Sequence, residues 1–310
     1  MSYQNIMNAP LFDFGDIKKS EITIKNTWNE FQAALANKTF KYDEVESAMT
    51  TTFLKVFDDL FANCCVRLER SLDIFQTDGY LARGAKLKAL ETVSYDRFMP
   101  KAEFINEDNR FSPVGVEWLY LAWASDKNLA EQCTIKECRA STGNRFGICL
   151  FEINSANKDE KIIDLTLADE MTYEDINTQL ENSGKVYLSR RYERSMKKGR
   201  VVIPTENEIN EIKAEISLWA LHTYLKLLSE QIFTPLADAD DKSLMYAPFQ
   251  CMAQYFLNKG YVGIKYKYTI DGKDYICRKW IGAGNKVPDK GTTIKVTYYE
   301  DKPSKARIEL

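Results

Sequence analysis

Along the first quarter of the chain, hydrophobic residues recur at helical spacing. Trp28, Phe31 and Leu35 follow Asn26 on one face, and Phe53, Val56, Phe57, Leu60, Cys64 and Leu68 form a second stripe behind a capping pair, Asp43 and Glu46. Two amphipathic helices are expected here, ending where Asp78-Gly79 breaks the pattern. Tyr80 to Leu87 then opens a mixed region. Trp118 to Trp123, Phe146 to Ile153, Ile162 to Leu165 and Val186 to Leu188 are short runs rich in aromatic and β-branched residues, the composition of strands. Asp126 to Cys138, between the first two runs, reads as a helix carrying Glu131 in its first turns.

The second half repeats the alternation. Thr205 and Glu208 form a capping box ahead of Ile209, Ile212, Ile216, Trp219, Thr223 and Leu227, a long stripe at helical period. Leu236 to Ser243 is a polar loop, Pro248 opens another helix through Met252, Ala253 and Phe256, and Gly260 ends it. Gly263 to Ile270, Lys273 to Ile281 and Thr292 to Tyr299 read as strands, the first two joined by Asp271-Gly272, a hairpin signal. No internal repeat or low-complexity tract interrupts this order, which is that of an α+β protein.

Composition narrows the picture. The 310 residues are 45% hydrophobic, enough for a sizeable core. A formal net charge of -3 gives no overall bias toward nucleic acid or an anionic membrane, so any anion site must be local. The amino terminus lacks the basic and apolar regions of a signal peptide, and no run approaches the roughly 18 apolar residues of a membrane span. A cytoplasmic protein is expected, with no membrane contact. The seven cysteines are odd in number and form no CxxC pair, as in a reducing compartment. With His222 as the single histidine, no metal centre is expected.

Several clusters read as structural. Arg190, Arg191, Arg194, Lys197, Lys198 and Arg200 make a local basic run, which without a basic excess elsewhere is a solvated connector before it is a nucleic-acid site. His222 stands beside Trp219 on the long stripe as a packed residue, and Cys64-Cys65 as core. The carboxy-terminal β region reads as an extension covering a sheet edge.

Candidate chemistry gathers around Arg110-Phe-Ser-Pro-Val-Gly115. Arg110 lies in a loop after Asn106-Glu-Asp-Asn, where a guanidinium can face a cleft and grip a phosphate or carboxylate with two parallel hydrogen bonds. Tyr120 falls within a strand run and Glu131 on the following helix. By default the three are a surface arginine, a core tyrosine and a solvated carboxylate.

Taken in order, Arg110-Phe111-Ser112-Pro113, Gly115, Leu119-Tyr120 and Ala130-Glu131 resemble the motif of the RES domain, named for its arginine, glutamate and serine. Leu81-Ala82-Arg83-Gly84 and Met99-Pro100 upstream, and Tyr246-Ala-Pro-Phe-Gln250 and Lys259-Gly-Tyr-Val-Gly-Ile-Lys-Tyr266 downstream, extend the likeness over about residues 80–268. The chain departs from the pattern at Asn109, Lys127-Asn128 and Ala85. The serine expected after the closing strand is also absent: Tyr266 is followed by Lys267-Tyr268-Thr269.

The resemblance implies an ADP-ribosyltransferase-like mixed β core at 79–268, with a helical extension at 1–78 and a β-hairpin tail at 269–310. It implies a toxin that degrades NAD at the nicotinamide–ribose bond, by hydrolysis or with phosphate as co-substrate, and that a protein antitoxin restrains. NAD would be a substrate, with no cofactor. Glu131, Arg110 and Tyr120 would be catalytic, and Arg83 and Thr269 would bind substrate. Two other outcomes share the pocket: a catalytically weakened nucleotide-binding protein, and an ADP-ribosyltransferase acting on a macromolecule.

Overall fold

The computed structural model describes residues 16–141, 143, 145–199, 205–232, 241–270, 273–280, 295–298 and 306–309, with backbone alone at 76, 184–190, 192–193, 196, 268–270, 273–280, 295–298 and 306–309. In chain order the elements are α1 (Ile17–Ala36), α2 (Val45–Ala48), α3 (Thr52–Leu68), β1 (Glu69–Ser71), α4 (Ile74–Thr77), β2 (Tyr80–Leu87), β3 (Tyr120–Ala124), α5 (Lys127–Glu137), β4 (Arg145–Phe151) and β5 (Lys161–Asp164). Then follow α6 (Tyr173–Met196), α7 (Glu206–Ile232), α8 (Lys242–Asn258), β6 (Gly263–Ile270), β7 (Lys273–Trp280), β8 (Lys295–Tyr298) and β9 (Ala306–Glu309). The protein is α+β.

Two compact units form, and they do not follow the linear division into 1–78, 79–268 and 269–310. Met1–Leu68 joins Thr166–Thr234, while Glu69–Leu165 joins Pro235–Leu310. The apolar stripes explain the first grouping. Buried faces of α1 and α3 need a partner, and α7 supplies it: the Phe53 ring lies 5.0 Å from Trp28, 5.2 Å from Phe31 and 5.2 Å from Tyr224. Trp219 Nε1 donates to Asn177 Oδ1 at 2.9 Å, and Asn177 Nδ2 donates to Glu21 Oε2 at 2.8 Å, so one buried polar chain ties α7, α6 and α1.

Helix ends follow local chemistry, in places other than those expected. The Thr205 box forms, with Thr205 N donating to Glu208 Oε2 at 2.7 Å and Glu208 N to Thr205 Oγ1 at 3.3 Å. Asp43 and Glu46 cap nothing, because the short α2 intervenes and Leu54 N instead donates to Thr51 Oγ1 at 3.5 Å. Pro248 sits inside α8, whose cap is Asp241: its Oδ1 accepts from Ser243 N at 2.9 Å. The expected strand at Val186 to Leu188 is helical. Three apolar residues between polar flanks cannot sustain a ladder, whereas Ile176 and Leu180 already commit α6 to a buried helical face.

In the second unit one sheet runs β1-β5-β6-β7-β3-β2-β4-β9-β8. The β6 and β7 strands pair antiparallel with Ile270 opposite Lys273, as expected of a hairpin, although Asp271 and Gly272 themselves lie outside the described residues. Leu72, Phe75, Leu81, Leu121, Ile153 and Ile162 form one buried cluster of this unit, and Ala82, Ala130, Phe146 and Ile148 pack as another beneath α5.

Helix α5 approaches β2 at Gly84. A Cβ there would strike the Phe146 ring and come within 2.9 Å of Thr134 Cβ. Gly84→Ala is expected to destabilise the fold by about 1–3 kcal/mol, through overpacking of that contact. A chemical-denaturation midpoint at or above that of the parent would show that the contact yields without strain.

Candidate functional site

Strands β2 and β3 hydrogen-bond only from Tyr80↔Ala124 to Ala82↔Ala122. Continued, the register would set Tyr120 opposite Gly84, but the ladder between them stops short, while on their outer edges β3 pairs with β7 through Tyr120↔Lys279 and β2 with β4 through Leu87↔Arg145. The strands part, and a pocket of about 630 Å³ opens in the gap. Arg83 and Gly84 from β2, Tyr120 from β3, and Thr134, Glu137 and Cys138 from α5 line it. The opposite wall comes from the segment between Glu91 and Ile105, which brings the carboxylates of Glu91 and Asp96 as well as Arg97 and Lys101, together with Asn109, Ser112, Val116 and Trp118.

The freed edge of β2 is satisfied by side chains. Cys138 Sγ donates to the Gly84 carbonyl at 3.5 Å and Arg97 Nη2 to the Lys86 carbonyl at 2.8 Å. Arg97 is fixed in turn by Glu91, at 2.7 Å.

Arg83 is the group with unmet demand. Its Nη1 is buried and has no hydrogen-bond partner. Burial lowers its pKa and the Arg97 charge adds to that, while Glu137, Cys138 and Tyr120 act in the opposite sense. The guanidinium stays protonated regardless, since arginine does not lose its proton in proteins. A buried cationic donor without an acceptor is stabilised by an arriving anion.

Tyr120 and Ser112 share a hydrogen bond of 2.5 Å between their hydroxyls, with Ser112 itself 1% exposed. Burial raises the phenol's pKa, against the opposing pull of the Ser112 hydroxyl and with a further rise from Glu137. Tyr120 is therefore a neutral phenol at physiological pH. Ser112 is placed by a tight turn, Asn109 N donating to the Ser112 carbonyl at 2.8 Å, and the turn is held from α8 by Gln250 Nε2 donating to the Asn109 carbonyl at 3.1 Å. Gly115, at φ +76°, reverses the chain after it.

Of the residues singled out from the sequence, Arg83 and Tyr120 reach the pocket and Arg110 and Glu131 do not. Arg110 lies over the rings of Tyr246 and Phe249, 5.4 and 6.0 Å from their centroids, so its charge is engaged by α8. Thr269 is in β6 opposite Asp274, but its side chain lies outside the described residues. Glu131 loses its place to Glu137 for a helical reason. Ala130, Cys133 and Thr134 are the buried stripe of α5, and the next position at that period is 137. The one-residue offset of Glu131 from Ala130 rotates it about 100° away. That stripe is readable in the sequence, and its period leads to Glu137, the carboxylate of α5 that lines the pocket.

Compared with protein-family models, curated proteins and solved structures, the chain matches none. Among the described residues no group of three or more His, Cys, Asp or Glu side chains is placed to hold a metal ion, and no helix is long and apolar enough to cross a membrane. His222, on α7, is half-buried, and burial lowers its pKa, so it is neutral at pH 7.

Cys138 is the one thiol lining the pocket, and burial pushes it up from 9.0 to about 11. A higher pKa means less thiolate at any given pH. At pH 8 its alkylation should run about a hundredfold slower than that of an unhindered thiol, accelerating as pH nears 11. Peptide mapping by mass spectrometry after timed iodoacetamide exposure measures this; labelling at the rate of a free thiol would place Cys138 in water.

Proposed function

We propose that this pocket binds NAD and cleaves its nicotinamide–ribose bond, in a RES-type, ADP-ribosyltransferase-like domain acting in the cytoplasm under the control of a protein antitoxin. The observation that carries the reading is Arg83: with its Nη1 buried and without an acceptor, it lines the same pocket as Glu137, the carboxylate that α5 contributes, and one neutral phenol, Tyr120. The order of motifs from Arg83 through Ser112-Pro113 and Tyr120 to the closing Tyr266 supports it.

The chemistry follows from charge. When the C1′–N bond breaks, its electron pair leaves with nicotinamide and the ribose acquires positive charge at C1′ and O4′. Glu137 stabilises that charge, as carboxylates do at glycosyl centres. Arg83 holds a phosphate of the substrate and fixes its position, which removes part of the entropic barrier. Tyr120, oriented by Ser112, donates its hydroxyl to a ribose or phosphate oxygen. Phosphate or water then forms the new C1′–O bond, and with water a proton is released to solvent. Glu137 takes the role that sequence order gave to Glu131.

A second reading, a pocket that binds the nucleotide without cleaving it, is favoured by the position of Arg110 and Glu131 outside the pocket. Incubation with NAD, with and without phosphate, separates the two by chromatographic detection of nicotinamide. The parent is expected to release it. Glu137→Gln should lower the rate by about 10²–10³-fold, the scale of losing one electrostatic stabiliser, and Glu131→Gln should stay within about twofold. NAD binding without nicotinamide release would establish the second reading. Equal rates in the parent and Glu137→Gln would remove Glu137 from the chemistry.

A further inference from the structure

Phe104 lines the pocket and is 73% exposed. Among the described large apolar side chains that stand exposed, it is the one at this pocket. Its exposure does not come from a frayed segment. The 3₁₀ turn Ala102–Phe104 is pinned at its start by Ala102 N donating to Glu117 Oε1 at 2.8 Å, at its end by Phe104 N donating to the Lys101 carbonyl at 2.9 Å, and just beyond by Gly115 N donating to the Ile105 carbonyl at 3.0 Å. A rigid turn thus presents an aromatic ring at a mostly polar pocket whose interior holds the unpartnered Arg83 donor.

An exposed ring held in place is uncovered apolar surface with a flat π-face, and a planar ring laid on it removes that surface from water. An anion in the same pocket answers Arg83. We infer that Phe104 is a stacking platform that makes the pocket select anions carrying a planar heteroaromatic ring, as nucleotides do, over sugar phosphates without one. The inference rests on the nucleotide reading of the pocket and on no step of cleavage.

The test compares AMP with ribose 5-phosphate, which share the phosphorylated ribose and differ by the base; neither contains the bond that the proposed reaction breaks. By calorimetry, AMP is expected to bind at least about tenfold more tightly, the lower end of what stacking one base on an aromatic side chain provides. Phe104→Ala should abolish that ratio while leaving ribose 5-phosphate affinity unchanged, and Phe104→Trp should keep it. An unchanged ratio in Phe104→Ala, or equal affinity for the two ligands in the parent, would overturn the platform, as would absence of binding by both. Nicotinamide release is scored separately: release with no base preference sinks the platform alone, and base preference without release sinks the cleavage reading alone.

Discussion

The gap between β2 and β3 is the constraint from which the rest of the site follows. Three residue pairs hold the strands together, and beyond Ala82 and Ala122 each strand keeps only its outer neighbour, β4 for β2 and β7 for β3. A sheet that opens in this way exposes backbone carbonyls that must be answered, and Cys138 and Arg97 answer them from two sides. Those two side chains draw in the end of α5 and the segment around Ser94 to Lys101, which become the walls. Arg83, on the freed stretch of β2, is left facing the gap. The pocket is a consequence of strand divergence, and its polarity comes from the groups that repair the divided edge.

The helical unit is organised differently. Its stability resides in a continuous aromatic stack contributed by α1, α3 and α7, with the Trp219–Asn177–Glu21 chain setting which faces meet. Buried amide and indole groups satisfied by each other favour one packing over near alternatives, because any slip leaves a polar atom unpaired in a low-dielectric interior.

Much of this was legible in the sequence wherever local chemistry decides structure. The Trp28, Phe31 and Leu35 stripe, the Thr205 capping box, the helix beginning at Asp126 and the paired strands around Asp271-Gly272 all form. Legibility failed where a distant contact decides. The Val186 to Leu188 run takes its state from the helix around it, and Pro248 falls inside α8 because Asp241 caps the helix well upstream of it. In the site, Arg83 and Tyr120 are named from their likeness to the RES motif, and both line the pocket from the strands that carry them. Arg110 could not be placed, since its pairing with Tyr246 and Phe249 spans a large separation in sequence. Glu137 was hidden by proximity to Glu131, although the buried period of α5 pointed to it. Ser112, which orients Tyr120, had no signal of its own beyond its place before Pro113.

The partition of the chain into interleaved units also orders events as the protein is made. Strand β5 pairs with β1 on one side and, in parallel, with β6 on the other. β1 has already left the ribosome when β5 emerges, but β6 follows only after α6, α7 and α8 have been synthesised. At typical elongation of about 5–20 residues per second, one edge of β5 waits several seconds for its partner. A nascent chain at that stage carries an open strand edge while the segments of the helical unit are nearly complete, so early docking of α7 onto α1 and α3 shortens the effective loop that β6 must close. The helices then serve the sheet before the sheet is complete, as a folded insert in the connection from β5 to β6.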